Sequence, residues 1–154
     1  MIVDHVREKM QFVEEITHRL GDNLNEDDYY IEDMGCPHIQ PKLPDGYSAV
    51  YLFVYEYKDG SYEFLKIGKV NSKSKARFTS QHYGMSAPST LAKSICEDQE
   101  FKAMGIDKDS VKGWMLGNLR RINVYIKADC GKAMTELVEA VLHYGFRPRY
   151  EGDI

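Results

Sequence analysis

The sequence lacks the features that mark membrane-spanning, secreted and nucleotide-binding proteins. No stretch approaches the roughly 20 apolar residues of a membrane span, and the first residues lack the basic and then apolar layout of a signal peptide. We therefore expect a cytoplasmic protein without a membrane partner. The chain also has no Gly-rich phosphate loop and no Gly-x-Ser-x-Gly elbow, which makes a small-molecule enzyme a poor interpretation.

Cysteine is scarce, and its spacing excludes two further classes. The three cysteines, Cys36, Cys96 and Cys130, are far apart, and none belongs to a CxxC motif. An odd number with this spacing argues against a disulfide framework and against a zinc site. The run Cys36-Pro37-His38 offers two adjacent metal ligands but has no second pair.

The charge is unevenly distributed along a chain long enough for one domain with a real core. The 154 residues carry a net charge of −4, which is unusual for a nucleic-acid binder. Ten acids and three bases lie between Met1 and Asp33, whereas six bases and no acid lie between Phe64 and Cys96. This asymmetry indicates a basic binding face on an acidic protein, or else a solvated lysine-rich loop.

Residues 1–45 read as an N-terminal arm ahead of a domain at 46–154. Apolar residues at spacings of three and four predict a helix from Asp4 to Leu20, and Gly21 stops it. The segment from Asp22 to Asp45 is acidic and then contains three prolines, which favours an extended surface connector.

The domain itself reads as an α+β fold: a small three-stranded antiparallel sheet flanked by helices. Its strands are predicted from their β-branched and aromatic content, and its helices from capping residues and apolar periodicity. The strands are Tyr47–Tyr57, Tyr62–Val70 and Ile122–Ile126; the helices are 71–82, Ser89–Glu97, Asp107–Leu116 and Asp129–Tyr144.

Three separated motifs supply the side chains that phosphodiester hydrolysis needs. The first strand contains Ala49-Val50-Tyr51, the second contains Lys66-Ile67-Gly68, and the following segment places Arg77 five residues before His82. The chain closes with Glu139-Ala140 and then Arg147-Pro148-Arg149-Tyr150-Glu151. In this order the motifs resemble the GIY-YIG nuclease superfamily over roughly Gly46 to Gly152. Ala49, Lys66 and Glu151 depart from it, standing where glycine, tyrosine and asparagine are usual.

The resemblance implies a metal-dependent endonuclease acting on nucleic acid, with DNA favoured over RNA. Glu139 would hold one Mg²⁺ or Mn²⁺ ion, Tyr51 would be the general base, and Arg77 would bind the scissile phosphate. Lys66 and His82 complete the implied catalytic set, and Gly68 and Glu151 would shape the site. The implied nucleic-acid contacts are Lys69, Lys73, Lys75, Arg147 and Arg149.

Two other functions fit the same residues. One is a catalytically weak module of this fold that holds nucleic acid without cutting it. The other is an interaction protein whose acidic arm, Asp22 to Asp33, covers the basic face or binds another protein. A single domain of this size rarely supplies specificity alone, which leaves room for a homodimer or a protein partner.

Overall fold

The protein has an α+β fold built on a four-stranded antiparallel sheet flanked by helices. The structure is a computed structural model and describes residues 1–150. The strand order is β1-β4-β2-β3, so β1 and β3 are the two edge strands. The strands are β1 (Tyr29–Gly35), β2 (Tyr47–Glu56), β3 (Tyr62–Val70) and β4 (Leu119–Lys127).

Helices cover both faces of this sheet. One face packs against α1 and α6, and the other packs against the shorter helices between β3 and β4. Within residues 1–150, no helix is long and apolar enough to cross a membrane. The helices are α1 (Ile2–Arg19), α2 (Lys75–Thr79), α3 (Leu91–Glu97), α4 (Gln99–Lys102), α5 (Val111–Asn118) and α6 (Lys132–Phe146).

Strict alternation along β2 divides its side chains between the two cores. Val50, Leu52 and Val54 face α1 and α6, whereas Tyr51 and Phe53 face the short helices. All five are fully buried because β2 is a central strand covered on both faces. The position of Tyr51 within the fold is thus fixed from both sides.

The prediction of three strands is wrong, because the segment read as an extended connector contributes β1. This strand pairs with β4 from Tyr29 opposite Ile126 to Asp33 opposite Ile122. Backbone hydrogen bonds make this pairing without an apolar run, and the acidic side chains of the strand accept hydrogen bonds from polar side chains of β4. The cores therefore extend into residues 1–45: α1 buries Val6, among others, against the sheet and α6.

The predicted helix over 71–82 is shorter than expected. Only Lys75–Thr79 is α-helical, and Gln81–Tyr83 forms a separate turn of 3₁₀-helix. The break at Ser80 lets Phe78 and His82 both enter the core behind Tyr51, whereas Arg77 stays exposed. The other predicted helices and strands are present with ends shifted by a few residues, and α4 is an additional short helix.

Candidate functional site

The candidate site lies at the edge strand β3, where Tyr51 of the neighbouring strand reaches across it. Tyr51 is paired with Gly68, which has no side chain. A Cβ atom on Gly68 would lie 2.4 Å from the phenol oxygen of Tyr51. The glycine is therefore what allows the phenol of a central strand to reach the sheet edge.

His82 holds the phenol of Tyr51 by a directed hydrogen bond. The backbone N–H of Leu91 donates to Nδ1 of His82 at 3.1 Å, so this nitrogen carries no proton. The proton of the neutral ring is then on Nε2, which lies 2.6 Å from the Tyr51 oxygen. His82 accordingly donates to Tyr51, and such a donor stabilises a phenolate.

The charge state of His82 supports this arrangement. Burial, together with the positive charges of Lys66, Arg77 and Arg121, lowers the pKa of His82 to about 3. The ring therefore stays neutral at ordinary pH and keeps a single N–H. It cannot serve as the base that takes the proton of Tyr51, because its free nitrogen is already occupied by Leu91.

Positive and negative charges around Tyr51 oppose one another. Burial raises the pKa of Tyr51 and is the largest effect, while the guanidinium groups of Arg77 and Arg121 act to lower it and Glu139 acts to raise it. Burial and the charge of Arg77 also lower the pKa of Lys66, and Glu139 opposes that shift. Arg77 and Glu139 therefore oppose each other in their effects on the pKa values of both Tyr51 and Lys66.

Glu139 reaches the same edge from α6, on the other side of the sheet. Its Oε1 atom accepts a hydrogen bond from Nζ of Lys69 at 2.9 Å. The two side chains line a cavity of about 220 Å³ together with Arg77 and Lys132. Hydroxyl and amide side chains also line the cavity. Because its charged groups are three cations and one carboxylate, the cavity suits an anion such as a phosphate.

A divalent cation at this site would rely on one protein carboxylate. Over the described range, no cluster of three His, Cys, Asp or Glu side chains could hold a metal. Magnesium accepts such a site because it retains several water ligands. Lys69 occupies Oε1 of Glu139, and within residues 1–150 the other oxygen, Oε2, makes no hydrogen bond. A single Mg²⁺ or Mn²⁺ ion bound in this cavity would have Glu139 as its one carboxylate ligand.

The predicted nucleic-acid contacts fall into two groups. Lys69, Lys73 and Lys75 lie on β3 or just after it, with Lys73 and Lys75 exposed and Lys75 paired with Asp45. Arg149 lies elsewhere, near the other end of β3.

The C-terminal arginines are not part of the Tyr51 cluster. Arg147 is exposed at the end of α6, donates to the carbonyl of Tyr144 at 2.9 Å and stacks on its ring. Arg149 donates to three carboxylates, those of Glu63, Asp98 and Glu100. The predicted tail residue Glu151 lies outside the described residues.

The sequence analysis missed two cations that the fold brings to the site. Lys132 lies at the start of α6 and lines the cavity. Arg121 lies on β4 beneath the ring of Tyr51. Arg121, Asn123 and Tyr125 alternate with apolar residues, a pattern typical of a solvated sheet face, yet all three are buried.

Comparison with known proteins adds no relative. No protein-family model matches the chain, and no similar curated protein or solved structure was found. The resemblance to GIY-YIG nucleases therefore depends on the motifs quoted above.

Proposed function

We propose that the protein is a metal-dependent endonuclease of the GIY-YIG type that hydrolyses phosphodiester bonds in nucleic acid, with DNA the favoured substrate. One observation carries the proposal. Tyr51 is hydrogen-bonded by His82 beside β3, the strand that carries Lys66 and Lys69, and Lys69 is paired with Glu139 in the cavity that Arg77 also lines. These residues come from separate elements, and a merely structural cluster would not require this combination of base, cations and carboxylate.

In the proposed reaction Tyr51 acts as the general base. Its phenolate takes a proton from the attacking water as the new phosphorus–oxygen bond forms and the bond to the leaving oxygen breaks. The N–H of His82 donates to the phenolate oxygen and so favours the ionised form needed before attack. The leaving oxygen takes its proton from solvent.

The cations of the site neutralise charge on the phosphate. Arg77 is exposed on α2 beside the cavity, where its rigid fork of donors suits the oxygens of the scissile phosphate. Lys66 is half-buried and adds positive charge near His82. Lys69 orients Glu139 through their 2.9 Å ion pair.

Glu139 is the residue that would hold the metal ion. When bound, one Mg²⁺ or Mn²⁺ supplies further positive charge to the phosphoryl oxygens. Glu139 suits this role because its carboxylate lines the cavity that also contains Arg77. The metal and the arginine would then face the same phosphate.

A binding module that does not cut is the second candidate. It is favoured by the ion pair between Lys69 and Glu139 and by the complete burial of Tyr51, since both restrain groups that catalysis would use. The masking alternative has less support: β1, which carries Glu32 and Asp33, occupies the sheet edge opposite β3.

Plasmid nicking by Glu139→Gln tests the proposal. We expect the unsubstituted protein to nick supercoiled DNA with Mg²⁺ or Mn²⁺ and to stop when the metal is chelated. Glu139→Gln should reduce the rate by at least about 100-fold, because the site loses its charged carboxylate. The matched control is Glu136→Gln, an exposed glutamate one turn earlier on α6, which should nick as the unsubstituted protein does.

Equal rates for Glu139→Gln and Glu136→Gln would overturn the assignment of Glu139. If the unsubstituted protein does not nick, salt-dependent DNA binding measured by fluorescence anisotropy decides between the candidates. Binding that survives Glu139→Gln and weakens in Arg77→Gln would support the module that binds without cutting.

A further inference from the structure

Arg121 is a buried cation without a carboxylate partner among residues 1–150. Only 1% of it is exposed. Its Nε donates to Oδ1 of Asn123 at 3.0 Å, and its two terminal nitrogens donate to the Tyr83 hydroxyl at 3.1 Å and the Phe78 carbonyl at 2.8 Å. All three acceptors are neutral groups, so each guanidinium nitrogen has an acceptor while the positive charge is not neutralised locally.

Four aromatic rings enclose this guanidinium. Its central carbon lies 4.5 Å from the ring centre of Phe78, 5.0 Å from that of Phe53, 5.3 Å from that of Tyr51 and 5.9 Å from that of Tyr83. The negative faces of such rings repay part of the cost of desolvating a cation. A buried charge remains more costly than an apolar side chain of the same size, and exceptions of this kind concentrate at functional sites.

The surrounding hydrogen bonds fix the orientation of the cation. Because the Tyr83 oxygen accepts from Arg121, the Tyr83 proton is donated to Nε2 of His38 at 2.7 Å. The other ring nitrogen of His38 then donates to the Leu119 carbonyl at 2.6 Å. Every link has one possible direction, so the guanidinium is held rigidly against the ring of Tyr51.

Asn123 links Arg121 indirectly to one carboxylate, that of Glu32. The amide nitrogen of Asn123 donates to Glu32 at 3.1 Å, and the hydroxyl of Tyr125 donates to the same oxygen at 2.6 Å. Glu32 therefore lies one side chain beyond Arg121, and its donors are Asn123 and Tyr125. This separation leaves the positive charge of Arg121 available to the ring in front of it.

We propose that Arg121 is a positioning residue that stabilises the phenolate of Tyr51 as a fixed internal cation. The inference deepens the proposed function, since it rests on Tyr51 acting as the base. The charged and titratable groups around Tyr51 are Arg77 from α2, His82 from the 3₁₀ turn, Arg121 from β4 and Glu139 from α6, and Lys66 from β3 acts on His82.

Arg121 differs from Arg77 in what happens when nucleic acid binds. Arg77 is exposed, and a phosphate in the cavity would neutralise it. Arg121 is only 1% exposed and does not line the cavity, so neither solvent nor a phosphate bound in the cavity would neutralise it. Its effect on Tyr51 therefore persists in the substrate complex, when the base is needed.

Replacing Tyr51 by a difluorinated tyrosine, whose phenol is more acidic, makes its ionisation measurable by fluorine NMR without any need for catalysis. Arg121→Met should raise the pKa of the labelled phenol by about one unit or more, as expected for loss of an opposite charge at this distance. The matched control is Arg120→Met on the same strand. Arg120 is 21% exposed and already paired with Asp33 and Glu56, so its loss should leave that pKa unchanged.

Equal pKa values in the Arg121→Met and Arg120→Met proteins would overturn the proposal. If Arg121→Met does not fold, the labelled protein with Arg121 intact still decides: nitrogen NMR of the Arg121 side chain should show the ionisation of the label at the same pH. An Arg121 signal that does not respond to that ionisation would refute the coupling.

Cleavage separates this inference from the proposed function. If the protein nicks DNA, the rise of its rate with pH should move to higher pH in Arg121→Met by the same amount as the pKa of the label. A shifted pKa in a protein that never nicks would uphold the role of Arg121 and reject the nuclease. Nicking by a protein in which Arg121→Met leaves the pKa of the label unshifted would uphold the nuclease and reject the role of Arg121.

Discussion

At the scale of single residues, the site depends on a glycine, Gly68, which has no side chain. Gly68 stands opposite Tyr51 and gives its phenol the space to cross the edge strand. The same phenol is held by His82 on one side and faces Arg121 beneath its ring. A small change at position 68 should therefore disturb the whole cluster.

Gly68→Ala should destabilise the protein by about 1–3 kcal/mol, because the new methyl group would overlap the phenol of Tyr51 in a packed core. It should also abolish nicking if Tyr51 is the base. Urea unfolding measures the stability change. Gly113→Ala is the control, since no atom lies within 4 Å of a Cβ there and alanine is the better helix former in α5.

At this scale the sequence supplied the names of the residues in the cluster but not their contacts. The resemblance named Gly68 as a residue that would shape the site, and the space left by its absent side chain is filled by the phenol of Tyr51. The grouping of Tyr51, Arg77, His82 and Glu139 came from motif order, and the fold brings these residues to one edge. The tautomer of His82 could not be predicted from the sequence. It depends on the hydrogen bond from the backbone N–H of Leu91 to Nδ1 of His82, and no sequence pattern signals that contact.

At the scale of elements, the tail residues Arg149 and Tyr150 bind the backbone of the edge strand β3. The backbone N–H groups of Arg149 and Tyr150 donate to the carbonyls of Phe64 and Leu65 at 2.9 Å. The side chain of Arg149 then joins β3 to the start of α4 through its three carboxylate partners. The tail thus protects part of the edge strand from other chains.

Arg149→Met should lower the free energy of unfolding by about 2 kcal/mol, because charge-assisted hydrogen bonds are lost and three carboxylates are left close together. The side chain is only 22% exposed, so solvent screens these bonds little. Arg147→Met, at an exposed position with one backbone acceptor, should change stability by less than about 0.5 kcal/mol. Thermal unfolding followed by circular dichroism compares the two.

DNA affinity measured on the same pair separates structural from binding roles. Both arginines were predicted to contact nucleic acid. If Arg149 instead serves the fold, Arg149→Met should retain the affinity of the unsubstituted protein once both are fully folded. A large loss of DNA affinity under conditions where Arg149→Met is fully folded would show that Arg149 contacts nucleic acid.

At the scale of the whole molecule, the two edges of the sheet differ in charge. The acids of β1 lie at one edge, and the basic residues of β3 and α2 lie at the other. A net charge of −4 is therefore compatible with a local surface that attracts an anion. This separation exists only because residues 1–45 fold into the sheet and its helical layer.

Met10→Ala tests whether the N-terminal segment is part of the core. Met10 is fully buried between α1 and the sheet, so its truncation should lower the free energy of unfolding by about 2–5 kcal/mol. Phe12→Ala is the control, because Phe12 is 51% exposed on the same helix and should change stability by less than about 1 kcal/mol. Equal, small effects in urea unfolding would contradict the packing of α1.

The sequence by itself determined the elements whose signals are local. Apolar spacing defined α1 and α6, and β-branched and aromatic content defined β2 and β3, because each pattern needs only neighbours along the chain. Tertiary structure alone decided the fourth strand, the burial of Arg121 and the partners of Arg149. Those features depend on residues far apart, such as Asn123 and Glu32, which are 91 positions apart. Whether a polar side chain faces water or a core is settled only when such segments pack together.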